Sequence, residues 1–182
     1  MAHVCPWWLG RILASPVRKL WQDPHRILAP HVRAGMTVLE PGPGMGFFTL
    51  ELARLVGAAG KVVAVDLQPR MLAGLRRRAE RAGLAGRIET RLASEASLGI
   101  DDLAGRVDLV LAFAVVHELP DAARFFAEVR PALSPGGKVL LAEPSGHVGA
   151  DEFEASLVAA ERAGFRRSPG FSVRRSLTAT LA

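Results

Sequence analysis

The 182-residue sequence contains a single cysteine, Cys5, and no tyrosine. One cysteine excludes a disulfide framework and any metal site built from several cysteines, and it favours a reducing compartment. No apolar run approaches the roughly 18 residues that a membrane-spanning helix requires. The first residues also lack the basic region and apolar stretch of a secretory signal. We therefore expect a cytoplasmic protein, and the length suits a domain with a buried core.

Lysine is scarce as well. Only three of the 23 basic residues are lysines, and the net charge is +5. A basic surface could bind nucleic acid, anionic lipid or an anionic substrate. The run Arg76–Arg78 lies in a predicted helix with no aromatic residues between the arginines, which favours a solvated face over a nucleic-acid site. The sequence therefore disfavours a nucleic-acid partner, and it gives no information on the oligomeric state.

Residues 1–30 form a predicted N-terminal cap that differs from the rest of the chain. They carry all three tryptophans, and Pro16 and Pro24 each follow a helix-capping residue, which predicts two short helices, one that runs to Trp21 and one that runs toward Val32. Such a segment could close over a pocket as a lid, pack on a sheet edge or lie on a membrane surface. Its small basic face disfavours the membrane. Trp7 and Trp8 are candidates for an aromatic wall of a substrate pocket.

From residue 31 to residue 182, predicted strands alternate with predicted helices. The segments Val62–Val65 and Leu109–Ala112 are continuous apolar runs, as in parallel sheets covered on both faces. Strands are predicted at Thr37–Glu40, Lys61–Asp66, Arg87–Leu92, Val107–Phe113 and Lys138–Glu143. Helices are predicted at Phe47–Val56, Pro69–Ala82, Asp121–Leu133 and Asp151–Ala163, with a weaker one at Glu95–Leu103. Two further strands, Phe165–Val173 and Arg175–Leu181, end the chain as a hairpin. This alternation predicts a doubly wound α/β domain.

The stretch TVLEPGPGMGFFTL, residues 37–50, predicts a buried strand, a tight turn and the start of a helix. Glycines alternate at Gly42, Gly44 and Gly46, and glycine lets a ligand approach the backbone because it has no Cβ. The acid before them, Glu40, would repel a pyrophosphate but attract an ammonium group or a ribose hydroxyl. Because a buried acid costs free energy unless it is paired, we interpret Glu40 as functional.

Polar residues also stand at the other predicted strand ends, and ligands of doubly wound sheets bind beyond the carboxyl ends of the strands. Asp66 ends the second strand and could accept two hydrogen bonds from a ribose diol. It could also cap the helix that begins at Pro69, and the two roles are compatible. The remaining strand-end stretches are Ser94-Glu95, Phe113 to Pro120, and Glu143 to His147.

Four segments, VLEPGPGMG, VVAVDLQ, VDLVLAFAVVHELPD and LSPGGKVLLAEP, resemble the class I S-adenosylmethionine-dependent methyltransferases in order, spacing and local pattern. The resemblance covers residues 24–182 and is to small single-domain members of the methyltransferase type 11 or UbiE-like kind. It implies a Rossmann-like seven-stranded sheet of strand order 3-2-1-4-5-7-6 with the last strand antiparallel. It also implies S-adenosylmethionine as the cofactor and S-adenosylhomocysteine as its product.

The resemblance assigns cofactor contacts position by position. The acid and glycines of the first motif would hold the methionine part, and the acid of the second motif would hold the ribose. Leu67 and Gln68 would contact the adenine, and Ala112 would offer its backbone carbonyl to the ammonium group. Ser94 stands where the family often has an adenine-reading aspartate, and either Ser94 or Glu95 could serve. The assigned residues are Glu40, Gly42, Gly44, Gly46, Asp66, Leu67, Gln68, Ser94, Glu95 and Ala112.

Methyl transfer to a neutral oxygen or nitrogen also requires a base, and a histidine can serve. His117 follows the fourth strand, where members of the family place substrate-facing residues, and Glu118 could orient it. His117 could equally pack against the cofactor or cap the next helix. His147, beyond the fifth strand, should face the same crevice and is a second catalytic candidate. Phe113 and Glu143 are candidates for the substrate pocket.

Three histidines and one cysteine, on three segments of the chain, are conceivable metal ligands, but no spacing such as HxxxH or CxxC supports a metal site. The residues in question are His3, Cys5, His117 and His147. We therefore predict no metal.

The favoured function is methyl transfer to a small molecule, because the sequence carries no appended recognition domain and the N-terminal cap could enclose a small pocket. A nicotinamide-dependent oxidoreductase is an alternative. It is weakened by Phe47 at the third-glycine position and by the absence of the Tyr–Lys pair of short-chain dehydrogenases. A lipid or RNA methyltransferase and a non-catalytic cofactor-binding protein are further alternatives. The (N/D)PP(Y/F) motif of many base-modifying RNA methyltransferases is absent after the fourth strand.

Overall fold

The computed structural model of the chain describes residues 22–182. Its strands are β1 (Thr37–Pro41), β2 (Lys61–Asp66), β3 (Ile88–Leu92), β4 (Val107–Phe113), β5 (Leu133–Pro144), β6 (Arg167–Pro169) and β7 (Ser176–Leu181). Its α-helices are α1 (Pro24–Leu28), α2 (Thr49–Leu55), α3 (Pro69–Arg81), α4 (Ala122–Ala132) and α5 (Ala150–Arg162). The strands form one sheet in the order β3-β2-β1-β4-β5-β7-β6. This order confirms the predicted Rossmann-like, doubly wound α/β fold.

Residues 22–99 belong to one compact unit, in which β2 lies between β1 and β3 and pairs with both in parallel. The β2 residues Val62–Val65 are 1% exposed or less. Both faces of β2 are therefore covered, as its continuous apolar run predicts. α3 begins with Pro69 in its first turn and has an apolar face that packs on the core. The buried apolar side chains of that face are Met71, Leu72, Leu75 and Ala79.

Ile100–Ala182 belongs to the second compact unit. β4 and β5 pair in parallel, β7 runs antiparallel to β5, and β6 runs antiparallel to β7. The terminal hairpin predicted from the sequence is thus confirmed. The rings of Phe125, Phe126 and Phe165 pack edge to face, with centroid separations of 5.1 and 5.8 Å. These aromatic contacts fix α4 against the segment that leads into β6.

The weakly predicted helix Glu95–Leu103 is reduced to a single 3₁₀ turn at Asp101–Leu103. The Oγ of Ser94 accepts main-chain N–H groups from the residues that would begin this helix. Gly99 adopts φ +65°, outside the right-handed helical region. The bonds to Ser94 Oγ are those of a helix cap, so the helix is prevented instead by the antiparallel bridge between Ser94 and Ser97 and by the left-handed conformation of Gly99.

Two strands have bounds that differ from the prediction by more than one residue. β5 begins at Leu133, directly after α4, rather than at Lys138. β6 spans three residues where the pattern predicts the longer strand Phe165–Val173. Its last residue, Pro169, has no N–H to donate to a sheet ladder, which explains why the strand is short.

The predicted N-terminal cap lies mostly outside the described residues. Its second helix is confirmed, since α1 begins at Pro24 and the carboxylate of Asp23 accepts the N–H of His25 at 2.9 Å. α1 ends at Leu28 rather than near Val32. Between residues 22 and 182 there is no helix with the length and apolar character needed to cross a bilayer. The assigned residues that fall outside the described part are His3, Cys5, Trp7 and Trp8.

Candidate functional site

The glycine turn, residues 42–46, follows β1 and is the first part of the candidate site. Gly42, Gly44 and Gly46 have φ values of +66°, +54° and +83°, which other residues adopt only at a cost. The N–H of Gly42 donates to the carbonyl of Val65 on β2 at 2.9 Å. A Cβ on Gly44 would meet no described atom within 4 Å. The middle of the turn therefore offers accessible backbone.

Asp66 closes β2 and joins the glycine turn to α3. Its Oδ2 accepts the N–H of Gly44 at 3.3 Å, and its Oδ1 accepts the N–H of Gln68 at 2.8 Å. Asp66 therefore bonds to the residue that precedes α3, whereas no side-chain hydrogen bond caps the first turn of this helix, so the capping role that the sequence suggests is absent. A carboxylate offers about four lone-pair sites. Acceptance of ribose hydroxyls is compatible with both main-chain bonds and stays a prediction.

Glu40 lies in β1, just before the glycine turn, and is 4% exposed. Its Oε2 is buried without a hydrogen-bond partner among the described residues, and so is the hydroxyl of Thr49. Burial raises the pKa of Glu40 to about 8, and the carboxylate of Asp66 acts in the same direction. The Thr49 hydroxyl offsets part of the rise, although it does not reach hydrogen-bond geometry. An ammonium group that donated to Oε2 would satisfy it and favour the charged carboxylate.

The four residues that the resemblance assigns to the adenine follow β2 and β3. Leu67 and Gln68 are half-buried, and Gln68 precedes the first turn of α3. The Oγ of Ser94 accepts two main-chain N–H groups of its own loop at 3.3 and 3.1 Å, and Glu95 is exposed. The Ser94 hydroxyl therefore shapes its loop, and an adenine contact by any of the four stays a prediction.

Arg78 on α3 departs from the solvated face that was predicted for the run Arg76–Arg78. Its neighbours Arg76 and Arg77 are exposed, as a solvated face requires. Arg78 is half-buried, and its guanidinium donates to the carbonyl of Met45 in the glycine turn. Burial lowers the pKa of Arg78. The available sequence signal was its spacing, since Arg78 lies one helical turn after Gly74 on α3.

In the second unit, partly exposed His117 and buried Glu143 form an acid–histidine pair. His117 lies in the 3₁₀ turn after β4, and Glu143 lies near the end of β5. The Oε2 of Glu143 is 2.6 Å from Nδ1 of His117. Its Oε1 accepts the N–H of Val116 at 2.8 Å and that of His117 at 3.4 Å. Glu143 is 1% exposed, and burial raises its pKa while His117 opposes the rise.

This pair has the arrangement of a general base and its orienting acid. A carboxylate that accepts from Nδ1 fixes the ring and leaves Nε2 as the nitrogen that can take up a proton. The His117 side chain is 20% exposed, so the ring is not sealed from a ligand. Glu118 was predicted to orient the ring, whereas the contact with Nδ1 is made by Glu143. Glu143 was assigned to the substrate pocket, and its contact with His117 was not foreseen.

The remaining candidates lie along β4 and after β5. Ala112 is fully buried in β4, and Phe113 at its end is half-buried. His147 is exposed, and its N–H donates to the carbonyl of Pro144 at 3.0 Å. Their assigned roles stay predictions. Within residues 22–182, no three His, Cys, Asp or Glu side chains lie together in a group that could hold a metal ion.

Comparison with known proteins identifies the family. Residues 33–166 match the model of a family described as a methyltransferase domain. A ribosomal protein L11 methyltransferase of Pelotomaculum thermopropionicum is 38% identical over 118 residues, which are 63% of this chain and 34% of that protein. A ubiquinone/menaquinone biosynthesis C-methyltransferase UbiE of Idiomarina loihiensis is 31% identical over 142 residues, which are 78% of this chain and 55% of that protein.

The crystal structure of a SAM-dependent methyltransferase from Aquifex aeolicus shares the fold. It superposes with a TM-score of 0.84 at 24% identity, over 98% of this chain and 97% of that one. The fold and the glycine turn with its acids are those of a cofactor-binding Rossmann-like domain. The family model covers most of the chain, so the chain belongs to the class I S-adenosylmethionine-dependent methyltransferases. It spans about a third to about half of the length of these two curated relatives.

The residues of the first unit fit S-adenosylmethionine, the cofactor of this family. The orphaned Oε2 of Glu40 suits an ammonium donor. The open backbone at Gly44 suits close approach of the methionine part. Asp66 lies beside the same turn and is an oxygen acceptor suited to hydroxyl donors. The cofactor assignment from the sequence is thus supported by the family and by these three features.

Proposed function

We propose that the chain transfers a methyl group from S-adenosylmethionine to a small-molecule acceptor that carries an ionisable hydroxyl or N–H group. The observation that carries this proposal is the 2.6 Å contact between Nδ1 of His117 and Oε2 of Glu143. Such a pair is suited to remove a proton, and an acceptor without an acidic proton would not need it. The UbiE relative, whose name describes a C-methyltransferase of quinone biosynthesis, supports a small acceptor.

The first unit supplies the cofactor-binding residues in this proposal. Glu40 would hold the amino group, the glycine turn would lie against the methionine part, and Asp66 would accept the ribose hydroxyls. When bound, S-adenosylmethionine supplies an electrophilic methyl group on a positively charged sulfur. The chain's own contribution is to position and desolvate these groups, and positioning can supply most of the rate in a direct displacement.

His117 acts as the general base. Nδ1 keeps its proton in the contact with Glu143, and Nε2 takes the proton from the acceptor's hydroxyl or N–H group. The acceptor keeps the electron pair of its former O–H or N–H bond. It can then bond to the methyl group through the heteroatom or, in a hydroxylated ring, through carbon. Buried Glu143 stabilises the imidazolium that results, because opposite charges attract strongly where water is excluded.

We further propose that residues 1–30 act as a lid over the acceptor, with Trp7 and Trp8 in contact with it. The support is the concentration of all three tryptophans in this segment. Tryptophan rings offer a large apolar surface to a ring-shaped acceptor.

The test begins with calorimetric titration of S-adenosylmethionine into the full chain. Methyl transfer from the radiolabelled cofactor is then measured with a panel of hydroxylated aromatic acids and quinols, and with ribosomal protein L11 as a macromolecular acceptor. We expect cofactor binding and transfer to at least one phenolic acceptor. Transfer to ribosomal protein L11 alone would contradict the small-molecule assignment, and absence of cofactor binding would contradict the proposal as a whole.

The role of His117 is tested on the best acceptor of the panel. Loss of a general base typically lowers turnover by a factor of about 10² to 10⁴, so His117→Asn should lose at least about 100-fold in kcat. Its affinity for S-adenosylmethionine should change by less than about twofold. The matched control is His31→Asn, since His31 lies outside the proposed lid and has no assigned role at the site. Full activity in His117→Asn would remove the proposed base.

A further inference from the structure

α3 packs directly against the glycine turn. A Cβ on Gly46 would lie 2.4 Å from Cδ1 of Leu75, and a Cβ on Gly74 would lie 2.9 Å from Cγ of Met45. Both separations are shorter than a normal van der Waals contact. A Cβ at either position would therefore require the side chain of Leu75 or of Met45 to move, so the helix and the turn are closely packed.

Arg78 completes the same face of α3. It follows Gly74 by one helical turn, so the two residues point in the same direction. Its guanidinium donates to the carbonyl of Met45, at the tip of the turn. Met45 is 9% exposed, so this carbonyl has little access to water. A buried carbonyl that lost its donor would carry a desolvation penalty.

The turn is held at three successive places. The N–H of Gly42 donates to Val65 on β2, and the N–H of Gly44 donates to Asp66. At its far side, the carbonyl of Met45 accepts from Arg78. The three contacts come from Val65 of β2, from Asp66 at the end of β2 and from Arg78 of α3. Of these three, the contact from Arg78 is the one made by a positively charged group.

We infer that Arg78 is a positioning residue that fixes the glycine turn in the conformation that binds the methionine part of S-adenosylmethionine. The inference rests on the proposed cofactor site. Pro43 fixes one φ angle of the turn, but the three glycines keep conformational freedom in the absence of fixed contacts, since glycine has the largest conformational freedom to lose. A turn already fixed in its binding conformation costs less entropy to order when the cofactor arrives.

The partial burial of Arg78 agrees with this role. Removing the guanidinium from water lowers the pKa of Arg78, yet the group remains ionised because arginine's ordinary pKa is so high. Arg77, the preceding residue, is exposed on the same helix. Arg77 therefore provides a matched variant with the same change of charge and helix propensity but without the contact to the turn.

The experiment compares Arg78→Met, Arg78→Lys and Arg77→Met by calorimetric titration with S-adenosylmethionine. A hydrogen bond from a charged group contributes on the order of a tenfold change in an equilibrium constant. We expect the Kd of Arg78→Met to rise about tenfold and that of Arg78→Lys to rise less, because the lysine ammonium group is still a positively charged donor. Arg77→Met should bind like the wild type. Unchanged affinity in Arg78→Met, or an equal loss in Arg77→Met, would overturn the inference.

A second measurement does not require the cofactor. The N–H of Gly46 donates to the carbonyl of Pro43 across the turn at 2.9 Å, and its hydrogen exchange reports how often the turn opens. Exchange at Gly46 should be several-fold faster in Arg78→Met than in Arg77→Met, with unchanged exchange in the centre of β2. Equal exchange would overturn the inference even if the wild type failed to bind S-adenosylmethionine. Equally faster exchange throughout the protein would also overturn it, because Arg78 would then act on global stability.

Discussion

Nδ1 of His117 lies 2.6 Å from Oε2 of Glu143, while Oε1 of the same carboxylate accepts the main-chain N–H groups of Val116 and His117. One buried carboxylate therefore fixes both the ring of the histidine and the backbone that carries it. A base held in this way loses little entropy when it meets its substrate. The same contacts also make Glu143 a stabilising residue, so its two contributions have to be separated experimentally.

Glu143→Gln should impair methyl transfer more than cofactor binding. The glutamine has a similar shape, but it carries no charge to stabilise the imidazolium, and its amide nitrogen cannot accept a hydrogen bond. We expect kcat to fall by about 10- to 100-fold and the free energy of unfolding to fall by about 1–3 kcal/mol. Steady-state kinetics measure kcat, and denaturant titration measures the free energy of unfolding. A larger loss of kcat in Glu118→Gln would instead favour the orienting role that the sequence suggests for Glu118.

Asp66→Ala should greatly weaken S-adenosylmethionine binding and also destabilise the protein. The substitution removes an acceptor for the ribose and leaves the N–H groups of Gly44 and Gln68 without their partner. Each such group that stays buried costs about 1–3 kcal/mol. Asp66→Asn keeps one acceptor oxygen and should lose less stability. Calorimetry and thermal unfolding separate the effects, and unchanged cofactor affinity in Asp66→Ala would contradict the assignment.

The stability of the cofactor-free protein should depend on pH through Glu40. Because its pKa is raised from 4.5 to about 8 in the folded state, the folded protein retains a proton that the unfolded chain releases. Stability from this group is therefore greatest in acid and falls as pH rises, by about 1 kcal/mol per pH unit between about pH 5 and pH 8. Glu40→Gln should flatten this slope. Denaturant unfolding of both proteins across this pH range measures it, and parallel slopes would contradict the prediction.

Elements that depend on local chemistry were predictable from the sequence. The bounds of β2 and β4 match the prediction at both ends, because each strand contains a continuous apolar run. The acid and glycines of residues 40–46 were also recognisable, because they are close together in the sequence. The predicted helix Glu95–Leu103 is absent because Ser94 and Ser97 form an antiparallel bridge and Gly99 adopts a left-handed conformation, and helix propensity includes neither.

The long-range part of the site was not predictable. His117 and Glu143 are 26 residues apart in the chain. They meet because β4 and β5 pair in the register that places Phe113 opposite Ala142. Sequence spacing does not encode this register, so the adjacent Glu118 was the nearest available partner. The contact of Arg78 with Met45 was missed for a related reason, since it depends on the approach of α3 to the glycine turn.

Gly46→Ala should destabilise the protein more than Gly44→Ala. Both positions have positive φ, so both variants incur backbone strain of about 1–2 kcal/mol. A Cβ at Gly46 would also lie 2.4 Å from Cδ1 of Leu75, which is fully buried, whereas a Cβ at Gly44 meets no described atom within 4 Å. Overpacking adds about 1–3 kcal/mol. Denaturant unfolding of the pair measures the difference, and equal destabilisation would contradict the close packing of α3 against the turn.

Intrinsic fluorescence should report on the N-terminal segment alone. The three tryptophans are Trp7, Trp8 and Trp21, and the chain has no tyrosine. If residues 1–30 close over the acceptor, addition of a bound acceptor should change the tryptophan emission, because the rings move from water to an apolar contact. Trp7→Phe/Trp8→Phe should lose most of this change while Trp21→Phe retains it. Removal of residues 1–20 should lower turnover with little effect on thermal unfolding. Normal kinetics after that truncation, together with unchanged emission in the wild type, would show that the segment is not a lid.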